Sequence, residues 1–406
     1  VRRGLESAGF AAQKMPGHGR KRERLEAVLL GNPPKSAAQK RPRVAIIGAG
    51  ISGACLAHTL SLRGAGVTVY EQASSADEGT SANPLALVMP RLDATDTVQA
   101  RLLIDAYLSA QAFYSDLDGV SVTETSHSPR DETEARRFEK LVADPPLGLE
   151  QLEAIRNGGV LHKTSMILQP AKIRAALLDP LNVKWGQSAD IDLDAKQVNG
   201  TPFDAIVLAG GWHLSDMVPE LNITGRLGQV ESFESDIDAP PAALAAGHYA
   251  LANGQTRLWG ATFEDHSEGE PQMSNAARMS NLDALNDLNP YWLSEAKRAN
   301  LSSHAGVRAT TADRLPLIGQ LPDVMGLIAD RQALERAGWT LSLGRHERTN
   351  LYVAGGYGSR GFTWAPWAAA ILTADIFGDP SPAPIEALRA IAPIRQVLRQ
   401  LKRGLI

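Results

Sequence analysis

Three short apolar runs, each ending in glycine, predict three buried strands of one parallel sheet. They are found in residues 44–48, 203–210 and 351–355. Continuous apolar runs of this length are typical of parallel strands that are covered on both faces. A glycine at the carboxyl end of such a strand lets a cofactor approach the backbone. Since the three runs lie far apart in the chain, we predict one discontinuous, Rossmann-like nucleotide-binding domain of the α/β class.

The central part of the chain has a different pattern, in which short strands alternate with turns. Residues 229–233, 248–252 and 257–263 have the composition of half-buried strands, which predicts an antiparallel sheet serving as a substrate domain. Helical patterns occur at residues 97–117 and, beginning near a proline, at residues 168–177. The predicted fold class is therefore α/β combined with antiparallel β.

These patterns divide the chain into predicted domains. The nucleotide-binding domain takes residues 43–92, 160–227 and 304–406, and the substrate domain takes residues 93–159 and 228–303. Residues 31–42 are polar and contain prolines, which is typical of a linker.

Residues 1–30 are predicted to form a separate small unit. They contain a helix up to residue 8 and strands at residues 11–15 and 22–30, joined by a turn at residues 16–19. So short a segment cannot bury a core of its own.

The first glycine run carries a dinucleotide-binding pattern. Gly48 allows a tight turn after the strand, Gly50 lets the backbone approach a pyrophosphate, and Gly53 lets the next helix pack closely on the strand. Glu71 follows 18 residues after Gly53, at the end of another apolar strand. A carboxylate there accepts hydrogen bonds from ribose hydroxyls and repels a 2′-phosphate, so FAD or NAD is favoured over NADP.

Composition excludes several classes of protein. The chain has 406 residues, of which 44% are hydrophobic and 21% charged, as in soluble globular proteins. No stretch approaches the roughly 18 consecutive apolar residues of a membrane span, so we expect a cytoplasmic protein with no membrane partner. Cys55 is the only cysteine, which excludes an intramolecular disulfide and a cysteine metal cluster; we predict no metal site.

The charge is unevenly distributed. Residues 1–43 hold 11 Lys and Arg against three Asp and Glu, although the whole chain has a net charge of −4. Near the other end, Arg395, Arg399 and Lys402 share one helical face. These residues either contact a polyanion or form a solvated basic helix end that complements the helix dipole.

The chain resembles the D-amino-acid oxidase and glycine/sarcosine oxidase family of FAD enzymes. The motifs that carry the likeness are the first glycine turn with Glu71, the helix at Gln169-Pro170, the strand end at residues 207–210, residues 306–319, and residues 355–361. The resemblance implies that non-covalently bound FAD oxidises a carbon next to an amine nitrogen. The likeness covers residues 43–403.

Other motifs resemble one branch of that family more closely, the oxidoreductase domain of the bifunctional MnmC enzymes. They lie at residues 79–84, 226–230, 259–264, 358–361 and 392–395. Residues 1–10 and 16–23 resemble the end of the methyltransferase domain in the same enzymes, without its glycine-rich methyl-donor site. We therefore expect no methyl transfer from this chain.

That branch implies a tRNA substrate. Its wobble uridine carries a 5-carboxymethylaminomethyl group, with or without 2-thiolation, which is in effect a glycine joined to the base through its nitrogen. Oxidation to an imine and cleavage by water would give glyoxylate and 5-aminomethyluridine. The partner is then the anticodon loop of tRNA, and the binding of tRNA should weaken steeply with salt.

The resemblance also implies the site residues. Arg308 would clamp the substrate carboxylate through its planar fork, and Tyr249 would hydrogen-bond the carboxylate or cover it. The alternatives are a structural arginine paired with Asp313 or Asp265, and a core tyrosine. The residues that would contact FAD are Gly48, Gly50, Ile51, Ser52, Gly53, Glu71, Gln72, Ser81, Asn83, Val183, Ala209, Gly210, Gly356, Gly358, Ser359, Arg360 and Gly361.

Two other functions use the same cofactor motifs. A free small-amine oxidase of the glycine or sarcosine type would share every flavin motif, but it would not explain the methyltransferase-like front end or the basic tail. A non-catalytic flavoprotein or nucleic-acid-binding scaffold would have no need of Arg308. Release of glyoxylate from free glycine alone would indicate the first, and a flavin that no amine bleaches would indicate the second.

Overall fold

The structure is a computed structural model that describes residues 1–7, 9–17, 22–29, 41–339 and 344–406. The chain divides into two compact units, Val1–Arg41 and Pro42–Ile406. The predicted linker lies outside the described residues except for its last two, and so does the second half of the turn predicted at residues 16–19.

The first unit is a short helix followed by a hairpin. Helix α1 spans Arg2–Ser7, strand β1 spans Phe10–Pro16 and strand β2 spans Glu23–Leu29. The two strands pair antiparallel along their whole length. None of the described residues of this unit is a buried core residue. The predicted order of helix, strand and strand is confirmed.

The second unit alternates strands and helices. Its strands are β3 (Arg43–Ile47), β4 (Gly66–Tyr70), β5 (Ala86–Val88), β6 (Val120–His127), β7 (Leu152–Ile155), β8 (Gly159–Leu168), β9 (Asn182–Lys184), β10 (Ile191–Asp192), β11 (Gln197–Val198), β12 (Thr201–Pro202), β13 (Ala205–Leu208), β14 (Thr224–Ala246), β15 (His248–Gly260), β16 (Glu264–His266), β17 (Ser302–Thr310), β18 (Leu317–Pro322) and β19 (Glu347–Gly355). Its helices are α2 (Ile51–Leu62), α3 (Val98–Tyr114), α4 (Glu132–Ala143), α5 (Pro170–Leu178), α6 (Leu214–Met217), α7 (Asn275–Leu288), α8 (Pro290–Ala296), α9 (Val324–Ala329), α10 (Arg331–Arg336), α11 (Gly361–Phe377), α12 (Ile385–Ile391) and α13 (Ile394–Arg403). Among the described residues, no helix has both the length and the apolar character needed to cross a membrane.

Six strands form a mostly parallel sheet in the order β18-β19-β13-β3-β4-β9. Only β18 runs antiparallel to its neighbour. Ile47, Leu208 and Val353 lie side by side in register, so the carboxyl ends of the three predicted glycine-ended strands meet at one edge. Ligands of open α/β sheets bind outside this edge, where the strand order reverses.

Alternate residues of the central strand β3 face two different cores. Val44 and Ile46 pack against helices α2, α3 and α11, whereas Ala45 and Ile47 belong to a second core on the opposite face of the sheet. Helix α11 is rich in alanine and tryptophan, and 12 of its 17 residues are buried. A helix that is apolar on nearly all sides must lie inside the protein, and this one holds the sheet against helix α2.

The second large sheet has the strand order β15-β14-β6-β8-β5, with β16 and β17 also paired to β14, and β7 to β8. Its pairs are antiparallel except for β14 with β6. Strand β14 is 23 residues long, much longer than the predicted strand at residues 229–233. Its register shifts twice, between Glu234 and Ala239 and between Ala239 and Ala242. The second shift contains Pro240 and Pro241, and proline, which has no N–H to donate, is tolerated only at edges and bulges.

Strands β5, β8 and β17 of this second sheet come from ranges that the sequence pattern assigns to the nucleotide-binding domain. Segments that are predicted to belong to the nucleotide-binding domain therefore also supply strands to the second sheet. The predicted domain boundaries stay a prediction. Strand β17 pairs with β14 over nine residues, from Ser302 opposite Ser232 to Thr310 opposite Thr224. This pairing fixes the position of Arg308 beside the cofactor edge of the first sheet.

Candidate functional site

A cavity of about 690 Å³ opens at the carboxyl edge of the six-stranded sheet and reaches strand β17. Thirteen of the predicted site residues line it: Gly48, Gly50, Ile51, Ser52, Glu71, Gln72, Ser81, Ala209, Gly210, Arg308, Gly356, Gly358 and Gly361. The other predicted residues, Gly53, Asn83, Val183, Tyr249, Ser359 and Arg360, lie outside its lining. The structure thus brings together residues that are up to 313 positions apart in the chain.

The first glycine turn has no room for side chains. Gly48 has φ +109°, and a Cβ there would lie 2.7 Å from the carbonyl oxygen of Ala209. A Cβ at Gly53 would lie 1.9 Å from the carbonyl oxygen of Gly48, so Gly53 packs helix α2 against the turn from behind the cavity. Gly50 caps the amino end of that helix at the cavity wall. This cradle has the shape that a diphosphate requires, with backbone N–H groups facing the ligand.

The carboxylate of Glu71 is held by the backbone on both oxygens. It accepts hydrogen bonds from the backbone N–H of Ala49 at 2.6 Å and of Ala73 at 2.9 Å. Each carboxylate oxygen has a further lone pair that can accept a ribose hydroxyl. The negative charge is thereby fixed at the end of β4, where a 2′-phosphate would be repelled.

Arg174 is a cavity-lining residue that the sequence interpretation misses. It is 1% exposed and donates to the carbonyl oxygens of Ala49, Ala76 and Glu78, which joins the glycine turn to the next loop. Burial lowers the pKa of Arg174. A signal is present in the sequence, because an arginine stands on the apolar face of the predicted helix, one residue after the buried Ile173.

Replacing Arg174 with methionine is expected to weaken FAD binding by at least about 10-fold. The substitution removes charge-assisted hydrogen bonds, each of which contributes about 1.5–3 kcal/mol, from the loop that holds the cofactor. Titration of the apoprotein with FAD, followed by flavin fluorescence, measures the effect. Lys172→Met on the exposed side of the same helix is the matched control and should bind FAD like the parent. Equal affinities in the two variants would contradict this role for Arg174.

The loop after β4 reaches across the cavity. The Ser81 hydroxyl accepts a hydrogen bond from the backbone N–H of Ile51 at 3.1 Å, and the Thr80 hydroxyl donates to the carbonyl oxygen of Val307 at 2.9 Å. The loop therefore ties the glycine turn to strand β17. Asn83 is half-buried just beyond this segment. The sequence interpretation does not single out Thr80, whose partner lies 227 residues away.

The third glycine loop closes the other side of the cavity. Gly356 and Gly358 have φ values of +68° and +57°, and the N–H of Gly358 donates to the carbonyl oxygen of Ala309 at 2.8 Å. Arg360 caps helix α11, and burial lowers its pKa to about 10. Ser359 is exposed. Within this loop, the glycine backbone rather than the two polar side chains faces the cavity.

Val183 is not among the residues that line the cavity. It is the middle residue of β9, the edge strand of the six-stranded sheet, and it is packed against the core. The chain reaches the cavity a few residues later, at residues 187–189. The sequence pattern places the strand correctly, and the cofactor contact at Val183 stays a prediction.

Arg308 lines the cavity without a carboxylate partner among the described residues. Asp265 pairs with Arg226 instead, and Asp313 pairs with Arg395 and Arg399. The alternative of a structural ion pair for Arg308 is therefore wrong. The guanidinium donates from Nη1 to the carbonyl oxygen of Thr262 at 3.0 Å, and its burial lowers its pKa.

The ion pairs of Asp313 involve two basic residues of the C-terminal helix α13. The carboxylate of Asp313 is held between Arg395 and Arg399, with distances of 3.0 and 2.9 Å. Burial alone would raise the pKa of Asp313, but the hydrogen bonds and charge of Arg395 lower it. Two of the three basic residues on that helical face are thus ion-paired with Asp313, and Arg399 keeps 34% of its side chain exposed.

Tyr249 lies near Arg308 but not in the cavity lining. Its ring packs against a small apolar cluster that includes Leu251 and Leu258. Burial raises the pKa of Tyr249, and the nearby positive charge of Arg308 opposes that rise. The phenol is therefore neutral at physiological pH, and its partly buried ring lies between this cluster and Arg308; its predicted contact with the substrate carboxylate stays a prediction. The described residues contain no group of three or more side chains suited to hold a metal ion.

Comparisons with known proteins agree with this geometry. The chain is 30% identical over 415 residues to the tRNA 5-methylaminomethyl-2-thiouridine biosynthesis bifunctional protein MnmC of Caulobacter sp. strain K31, covering 97% of this chain and 64% of the relative. It is 33% identical over 403 residues to the protein of that name from Caulobacter vibrioides, covering 95% of this chain and 62% of the relative. The chain thus spans less than two thirds of these relatives.

Solved structures of amine oxidases have the same fold. Glycine oxidase from Geobacillus kaustophilus superposes with a TM-score of 0.66 at 17% identity, covering 87% of this chain and 98% of that one. Iminodiacetate oxidase from Chelativorans sp. BNC1 gives 0.65 at 18% identity, covering 86% and 99%. The family model of FAD dependent oxidoreductases, DAO, matches residues 43–375. The chain therefore belongs to the DAO family of FAD-dependent oxidoreductases, has the α/β fold of that family and uses FAD as its cofactor.

Proposed function

We propose that this chain removes the carboxymethyl group from 5-carboxymethylaminomethyluridine, or its 2-thio form, at the wobble position of tRNA. The products are 5-aminomethyl(-2-thio)uridine and glyoxylate. The observation that carries the proposal is the guanidinium of Arg308 at the cavity, which no carboxylate of the described residues neutralises. An N-linked glycine tail ends in a carboxylate that needs such a cation.

Sequence similarity supports the choice of tRNA over a free amine. The matches to the two Caulobacter proteins cover 97% and 95% of this chain, which is more than residues 43–406 alone could supply. They therefore include part of the basic front end, for which a free-amine oxidase has no use. A tRNA substrate also agrees with the predicted cytoplasmic location.

The groups that would hold FAD are the glycine cradle, Glu71 and the loop at residues 356–361. When bound, FAD accepts a hydride from a carbon next to an amine nitrogen. The task of the protein is to place that carbon and to keep the amine neutral, because its lone pair must form the C=N bond as the hydride leaves. The positive charge of Arg308 contributes to this by disfavouring a second cation close by.

Arg308 would bind the tail carboxylate through two parallel N–H donors, while the carbonyl oxygen of Thr262 holds the guanidinium in place at 3.0 Å. Water then adds to the C=N carbon, the C–N bond breaks, and the nitrogen stays on the uridine as a primary amine. The wobble base must leave its stack for this reaction, which is cheapest in a single-stranded anticodon loop.

The test is to incubate the purified flavoprotein with tRNA that carries the glycine-like tail. Nucleoside mass spectrometry should show the loss of the carboxymethyl group, matched by an equal amount of released glyoxylate. The control is the same tRNA without the tail, which should yield no glyoxylate. Glyoxylate from free glycine, with none from the modified tRNA, would overturn the proposal and identify a small-amine oxidase.

A further inference from the structure

Phe263 is an exposed aromatic residue beside Arg308, just outside the residues that line the cavity. It lies in the turn between β15 and β16, and 60% of its surface is exposed. Its ring centroid lies 5.6 Å from the Cζ atom of Arg226 and 5.7 Å from that of Arg308. A single exposed apolar side chain is ordinary on a protein surface, so what distinguishes this ring is its position beside two guanidinium groups.

The described charges around this ring leave one cation without a counter-ion. Arg226 and Arg308 are directly opposite each other on β14 and β17, and like charges in that position destabilise a sheet. Asp265, opposite Arg226 on β16, neutralises one of them. The ring of Phe263 interacts with both guanidinium groups. Arg308 is left to bind an anion, with the ring of Phe263 and the ion-paired guanidinium of Arg226 next to it.

We propose that Phe263 and Arg226 form a stacking surface for the wobble uracil, adjacent to the carboxylate clamp at Arg308. This inference rests on the proposed function and adds the part of the site that recognises a nucleobase. Bases that leave an RNA stack are bound on aromatic rings and on arginine planes, and both are present here.

The base and the carboxylate of the substrate are close to each other. The tail joins the base to its carboxyl carbon through four bonds, which span about 5 Å when extended. The Phe263 centroid and the Arg308 Cζ atom are 5.7 Å apart. Thr262 holds Arg308 through its carbonyl oxygen, so two consecutive residues serve the two ends of one substrate. Free glycine carries no nucleobase, so an oxidase of free glycine would not use the stacking surface formed by Phe263 and Arg226.

The experiment compares Phe263→Leu and Phe263→Trp with the parent. The ligands are an anticodon stem-loop RNA with the tailed uridine, measured by fluorescence anisotropy, and the modified tRNA, measured by steady-state kinetics. Phe263→Leu should raise the Kd for the RNA and the KM for the tRNA by about 5- to 150-fold, the range for loss of one stacked base. Phe263→Trp should keep both values within about 3-fold of the parent, because the indole ring offers an equivalent stacking face.

Tyr291→Leu is the matched control, because Tyr291 is an equally exposed aromatic residue, at 61%, on helix α8. It should bind and convert the RNA like the parent. FAD absorbance and thermal unfolding of each variant show that the fold is retained. A Phe263→Leu variant with parental Kd and KM would overturn the stacking surface and leave the proposed function standing. A parent that bleaches with glycine but neither binds nor converts the RNA would overturn both.

Discussion

Replacing Arg308 with methionine is expected to lower kcat/KM for the modified tRNA by about 30- to 5,000-fold. This corresponds to about 2–5 kcal/mol, the cost of truncating one partner of a buried charge pair. The magnitude is large because Arg226, the arginine on the facing strand, is already paired with Asp265 and cannot take its place. Steady-state release of glyoxylate measures the loss. The FAD content should stay at the parental level, since the cofactor cradle lies on other strands.

Arg308→Lys separates charge from geometry. Lysine keeps the positive charge but cannot offer two parallel donors, so we expect a raised KM and an activity between those of the parent and the methionine variant. Arg348→Lys is the control, because Arg348 is another strand arginine but is paired with Asp194. Its kinetics should match the parent. An unchanged KM in Arg308→Lys would contradict bidentate binding of the substrate carboxylate by Arg308.

The cofactor half of the site could be predicted from sequence because its chemistry is local. Gly48, Gly50 and Gly53 act within one turn, and the next strand along the sheet delivers Glu71. The turn needs glycine for reasons of backbone shape alone: a Cβ at Gly48 or Gly53 would collide with a carbonyl oxygen. Residue type and spacing therefore determine the position of these groups before any long-range contact forms.

The substrate half depends on strand register, which the sequence pattern does not specify. Arg308 and Asp313 are only five residues apart, yet Asp313 turns to the C-terminal helix and pairs with Arg395. Whether Arg308 is free could be known only once β14, β16 and β17 were aligned. The same alignment sets Phe263 beside two arginines that are 82 residues apart in the chain.

Sequence patterns also misplace where elements begin and end. They predict a short strand at residues 229–233 in place of the long β14, whose pairing shifts register between Glu234 and Ala242. They predict a cofactor contact at Val183, which stays a prediction, and the residues after β9 that line the cavity are 187–189. They give no role to Arg174, because an arginine on an apolar helix face is usually explained by a long stem that reaches solvent.

Replacing Gly228 with alanine is expected to lower kcat/KM by about 100-fold without loss of the fold or of FAD. Gly228 has strand backbone that alanine adopts readily, but a Cβ there would lie 2.1 Å from both Nη atoms of Arg308. Since non-bonded atoms need about 3.5 Å, the guanidinium must move by more than about 1 Å. The flexible arginine side chain can make that movement. A misplacement of this size costs about 100-fold in rate.

Gly66→Ala is the control, because Gly66 also lies in a strand but the atom nearest to a Cβ at this position would be 3.8 Å away. A double variant shows whether Gly228 acts through Arg308. In the Arg308→Met background the added methyl group has no guanidinium to displace, so Gly228→Ala should cause little further loss of kcat/KM. An equal loss in both backgrounds would mean that the glycine serves another contact, such as the strand pairing of Gly228 with Gly306. Non-additive losses of kcat/KM would show that the absence of a side chain at Gly228 is what allows the Arg308 guanidinium to occupy its position.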